Sequence, residues 1–144
     1  MIAVLVSTHG ASAKSLVESA EMICGEQTLC EAVSFTMGQS LDDFEQQIEQ
    51  KLQLLTNQCS QILCLVDLKG GTPFNTLVKL IANYPSLEVI TGVNIPMLLT
   101  TFMLRTDESN LSDFLPEIIE ASVKGIELHN IASITNNENQ DEDF

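Results

Sequence analysis

Tryptophan is absent from the 144 residues, tyrosine occurs once, and aromatic side chains together make up only 5%. A core must therefore be built mainly from Leu, Ile, Val and Ala. Basic side chains are also scarce: 6 against 20 acidic ones, for a formal net charge of −14. A surface this negative repels nucleic acid and anionic lipid, which argues against both as partners and favours a partner with a basic docking face. No apolar run approaches the roughly 18 residues that would suggest a membrane span. The apolar start Met1–Val6 lacks a basic flank and runs straight into Ser7, Thr8, His9 and Gly10. It reads as a first strand and not as a signal peptide, so the expected location is the cytoplasm. Cys24, Cys30, Cys59 and Cys64 show no CxxC spacing. They are expected to be reduced and structural, with no metal and no cofactor. There is no GxxxxGK[ST] phosphate loop. Ser7 lies in no GxSxG elbow, which removes a serine hydrolase from consideration.

What is present is an alternation of strand-like and helix-like segments. Ile2–Ser7 is a short apolar run of the kind a buried strand requires. In Ala11–Cys24, Leu16, Val17, Ala20 and Ile23 recur at helical spacing before the stop signal Gly25. Glu31–Thr36 reads as a second strand. Leu41–Leu55 is an amphipathic helix with Leu41, Phe44, Ile48, Leu52 and Leu55 on one stripe. Ser40 is its expected cap, and Asp42 and Asp43 suit the positive first turn. Gln61–Val66 is a third strand ending at Asp67. A helix is predicted over about 74–83, with Pro73 at its start, and then a fourth strand over Leu87–Thr91. Ile95–Leu104 and Leu111–Lys124 read as further helices, and Ile126–Ile134 as a last, irregular extended segment. Residues 1–135 form one expected domain, followed by a mobile acidic tail over 136–144.

This alternation predicts an α/β fold: a mostly parallel four-stranded sheet with helices on both faces. With strand order 2-1-3-4, the order reverses between the first and third strands, where such sheets place their ligand site beyond the carboxyl ends. His9 follows the first strand and Asp67 ends the third. A carboxylate accepting from Nδ1 sets the imidazole tautomer, frees Nε2 as nucleophile and stabilises a positive ring. Anion donors are expected at two helix N-termini, near Gly10–Ala11 and near Thr72–Phe74. Gly10 and the Gly70–Gly71 pair permit close backbone approach, and the hydroxyls of Thr8 and Thr72 are further donors. Lys69 could add charge, although a basic loop residue is more often simply solvated. His129, in a late polar-flanked segment, is expected to be structural.

The residues also resemble a known family. STHG at Ser7–Gly10, AEMICGEQ at Ala20–Gln27, LVDLKGGTPFN at Leu65–Asn75 and TGVNIPMLL at Thr91–Leu99 together resemble the IIA component of the mannose-type (mannose–fructose–sorbose) sugar phosphotransferase system. The resemblance implies that His9 is phosphorylated by the phosphocarrier protein HPr, itself charged from phosphoenolpyruvate. The phosphoryl group then passes to a IIB component, and from there to a sugar entering through membrane components IIC and IID. It implies that Asp67 bonds the active histidine and that Thr72 and its neighbours, Gly71 among them, surround the phosphoryl group. Asn94 and Pro96 become candidate pocket residues. It further implies a homodimer formed by exchange of a C-terminal strand, here Ile126–Ile134. A cytoplasmic subunit at the membrane periphery, with IIB on a separate chain, is the expected organisation. The related phosphodonor domain of dihydroxyacetone kinase and a phosphorylation-dependent regulatory module are the alternatives. The sugar itself is not legible.

Overall fold

The computed structural model describes residues 1–106 and 110–142, with side chains described as far as residue 136. The strands are β1 (Ala3–His9), β2 (Cys30–Phe35), β3 (Ile62–Val66) and β4 (Leu87–Thr91). The helices are α1 (Ser12–Cys24), α2 (Leu41–Thr56), α3 (Thr72–Leu80), α4 (Ile95–Leu104), α5 (Leu111–Lys124) and α6 (Ile131–Glu142), with a 3-10 turn at Ile81–Asn83 after α3. All strand pairs are parallel, as the alternation predicted, and the order is β2-β1-β3-β4.

The central strands are buried on both faces, which is why they appear in the sequence as unbroken apolar runs. Successive side chains alternate between two cores. Leu5, Ile62, Cys64 and Val66 pack with Phe44, Ile48 and Leu52 of α2 and Leu77 of α3. Val4, Val6, Leu63 and Leu65 face the opposite way, onto Ala13 and Ala20 of α1, Met97 and Leu98 of α4 and Ile118 of α5. Each fully buried Leu, Ile or Phe contributes about 1.5–3 kcal/mol. Helix caps follow the local sequence: Ser40 accepts from the Asp43 amide at the start of α2, and Asn94 accepts from Met97 at the start of α4.

Several expectations need correction. Leu41 and Ile23 lie at helix ends and are mostly exposed, so neither belongs to its helix's buried stripe. Cys24, at the end of α1, is exposed, whereas Cys59 and Cys64 are buried. The segment Ile126–Ile134 is not a strand: 126–130 has no regular structure and α6 begins at Ile131. Its start is set by Asn130, whose side chain accepts from the Ser133 amide while Ser133 Oγ accepts from the Asn130 amide. This reciprocal cap favours helix over extended chain. The helix takes in 136–142 of the acidic segment 136–144, and 143–144 lie outside the described residues.

Candidate functional site

β1 and β3 are hydrogen-bonded neighbours, with Ser7 opposite Val66, so the residues just beyond them meet. β1 ends at His9, where Gly10 donates to Phe35 O (2.8 Å) with φ +64°. A side chain there would be strained. The turn sends the chain into α1 and leaves the imidazole at the edge of the sheet.

His9 and Asp67 are joined twice. Asp67 Oδ2 lies 2.8 Å from His9 Nδ1 and accepts the His9 main-chain N–H at 3.0 Å. Burial alone would raise the Asp67 carboxyl, but the main-chain and ring bonds from His9 outweigh it and hold it below its ordinary value of 3.8. The carboxylate is therefore ionised at neutral pH and can only accept, which places a proton on Nδ1. Nε2 is left with its lone pair, and the imidazole side chain is 45% exposed.

The third member of the arrangement is steric. Gly71 precedes α3 with ordinary backbone angles, φ −77° and ψ 170°, so it needs no left-handed freedom. A Cβ there would lie 2.7 Å from His9 Cε1 and 3.3 Å from Nε2. The missing side chain is what lets the ring sit against the N-terminus of α3. No side chain caps that helix, and Pro73 occupies its first turn. The amides of Thr72 and Phe74 thus have no intrahelical acceptor, and the positive end of the helix lies beside Nε2.

The remaining predicted residues fall in two groups. Thr8 is buried, and its Oγ1 accepts from Ser12 Oγ at 2.7 Å, while Ser12 Oγ also bonds His9 O at 3.1 Å. This hydroxyl therefore braces the turn below the ring. Asn94 caps α4 and donates to Ser122 O at 3.1 Å, and Pro96 packs where a Gly125 side chain would be. Those contacts tie α4 to α5, and none of those described reaches His9 or Asp67. Ser7 donates to Val33 O within the sheet. His129 is exposed and pairs with Glu127 at 3.2 Å.

Phe35 was not singled out from the sequence. Its ring stands edge-on to His9 with centroids 6.1 Å apart, and Phe44 stands against it in turn at 5.1 Å. The parallel register pairs His9 with Phe35, so the strand order, once known, would have pointed to it. Arg105 was also missed: although only 4% exposed, it donates to the carbonyls of Ile2, Leu29 and Thr28 and to Gln27 Oε1. An arginine closing an apolar helix gives no sequence signal of such a role.

The family model described as "PTS system fructose IIA component" matches residues 3–119. The chain is 34% identical over 125 residues to the PTS system mannose-specific EIIAB component of Escherichia coli (strain K12), which covers 87% of this chain and 38% of that protein. It thus spans well under half the length of that relative. It is 36% identical over 105 residues to the PTS system fructose-specific EIIA component of Bacillus subtilis (strain 168), covering 73% of this chain and 71% of that one. Among solved structures, the phosphotransferase system component EIIA from Streptococcus agalactiae is similar with a TM-score of 0.80 at 29% identity, covering 89% of this chain and 97% of that one.

Proposed function

The chain belongs to the family of phosphotransferase-system IIA components, and we propose that it carries a phosphoryl group on Nε2 of His9 during sugar uptake. The observation that carries this reading is the pairing of the two ring nitrogens with different surroundings. Nδ1 is 2.8 Å from Asp67, while Nε2 sits over Gly71 at the N-terminus of α3. Nucleophilic attack by Nε2 on phosphorus makes the ring positive, and Asp67 stabilises that charge without taking the proton. The arriving oxygens meet the amides of Thr72 and Phe74 and the helix dipole. Phosphoryl transfer asks little else of a protein beyond positioning and charge stabilisation.

In this reading HPr is the donor and a IIB component the acceptor, with IIC and IID acting downstream of this chain. Met37, exposed and lining one cavity with His9 and Phe35, offers an apolar docking point beside the histidine. Among the described residues no helix is long and apolar enough to cross a membrane, which suits a cytoplasmic subunit that meets the membrane only through its transporter. Thr8, Gly10, Gly71 and Thr72 shape the phosphoryl site, whereas Asn94 and Pro96 stand apart from it and tie α4 to α5. A homodimer is part of the same proposal. Exposed Ile119, Val123 and Ile126 beside the open edge of β4 offer apolar surface for a second copy.

The test is phosphorylation with phosphoenolpyruvate, enzyme I and HPr. An acid-labile, base-stable label on the wild type and none on His9→Ala is expected. Equal labelling of His9→Ala would overturn the assignment.

A further inference from the structure

The chain has six basic side chains, and five have defined partners. Lys14 pairs with Glu18 (3.9 Å), Lys51 with Glu31 (3.2 Å), Lys79 with Glu45 (3.0 Å) and Lys124 with Glu120 (2.7 Å). All four of these lysines lie on helices. Arg105 is buried against carbonyl oxygens. Of the five lysines, Lys69 alone has no carboxylate partner among the described residues. It is also the one lysine in a loop: the loop between Asp67 and Gly71, which holds one partner of His9 at each end.

That loop is pinned in place. The Gly71 amide donates to Leu68 O at 3.1 Å, and Asn75 Nδ2 donates to Gly70 O at 3.0 Å. Lys69 is exposed between these two fixed points. In a protein of net charge −14, bringing a phosphoryl dianion to the surface works against the molecule's own field. An uncommitted ammonium two residues from Asp67 is the local charge that offsets it.

We propose that Lys69 is an electrostatic positioning residue for the phosphoryl group at His9, acting on the phosphoryl oxygens themselves and not on a protein partner. The inference rests on the phosphohistidine reading given above. In the step concerned, the P–N bond of the donor breaks with its electron pair going to the departing nitrogen. The Nε2 lone pair forms the new N–P bond, and the Nδ1 proton stays on the ring against Asp67. An ammonium within about one Debye length of a dianion in water changes the rate by a factor of a few, and reversing its charge roughly squares that factor.

The experiment compares wild type, Lys69→Gln, Lys69→Glu and the control Lys124→Gln, each as the full chain. Phosphohistidine formation is followed with two donors: phosphorylated HPr and the small molecule phosphoramidate, which releases ammonia. At low salt Lys69→Gln should slow both reactions by about threefold and Lys69→Glu by about tenfold. The differences should shrink at high salt, and Lys124→Gln should match wild type. A loss with HPr but none with phosphoramidate would assign Lys69 to protein docking and overturn the proposal. Rates independent of residue 69 would overturn it as well. Failure of the wild type to form phosphohistidine with either donor would instead refute the underlying reading, and this inference with it.

Discussion

Asp67 Oδ2 receives two hydrogen bonds from one residue, the ring nitrogen Nδ1 of His9 at 2.8 Å and its main-chain N–H at 3.0 Å. The same oxygen therefore fixes where β1 ends and which tautomer its last side chain adopts. An amide in its place can still accept a hydrogen bond, but it carries no charge to stabilise a positive ring.

Asp67→Asn should accordingly fold and yet accept phosphate about a hundredfold more slowly. Stopped-flow or quench measurements of labelling, alongside circular dichroism, would check both halves. Wild-type kinetics in a folded variant would remove Asp67 from the mechanism.

The same pair makes a prediction about acid stability. The Asp67 carboxyl titrates below its ordinary value of 3.8 in the folded protein. A group depressed on folding contributes its full stability above the unfolded value and loses it as pH falls through the folded one. The stability gap between wild type and Asp67→Asn should hold from neutral pH down to about pH 5 and narrow below about pH 4. Urea midpoints measured across that range give the answer, and a gap unchanged at about pH 3 would contradict the coupling.

Gly71→Ala separates room from backbone freedom. Its φ of −77° suits alanine, so stability should change by less than about 1 kcal/mol. The new Cβ, 2.7 Å from His9 Cε1, must displace the ring from α3. Transfer should fall by about 10–100-fold, with the displacement visible in the imidazole NMR shifts. Full activity would mean that the ring tolerates another position.

Arg105→Met addresses the opposite end of the sheet, where the guanidinium bonds Ile2 O near the start of β1. Each carbonyl left without its donor costs about 1–3 kcal/mol. The urea midpoint should drop clearly while the folded fraction transfers phosphate at the wild-type rate. An unchanged midpoint would show that water replaces the guanidinium without loss.

Much of this was legible before the structure. The bounds of β4, α4 and α5 agree with the sequence reading, because apolar runs and helical periodicity are imposed by burial and by 3.6-residue geometry. Ile126–Ile134 was misread because its apolar residues fit neither period well, and the cap between Asn130 and Ser133 decided in favour of helix. The mostly exposed Leu41 shows the limit of a stripe: periodicity assigns a face, but not how far the neighbouring layer extends over it.

The sequence by itself determined the parallel α/β class, the placing of His9 and Asp67 at two strand ends, and the family likeness. These follow from local pattern and from residue types placed at strand ends. Only the tertiary structure decided that Asp67 holds both the ring and the backbone of His9, that Gly71 is needed for space, that Phe35 flanks the ring, and that Lys69 has no carboxylate partner among the described residues. Each is a relation across 26 or more residues or between neighbouring loops. Such relations depend on angstrom-scale packing of separate elements, which local sequence pattern does not encode.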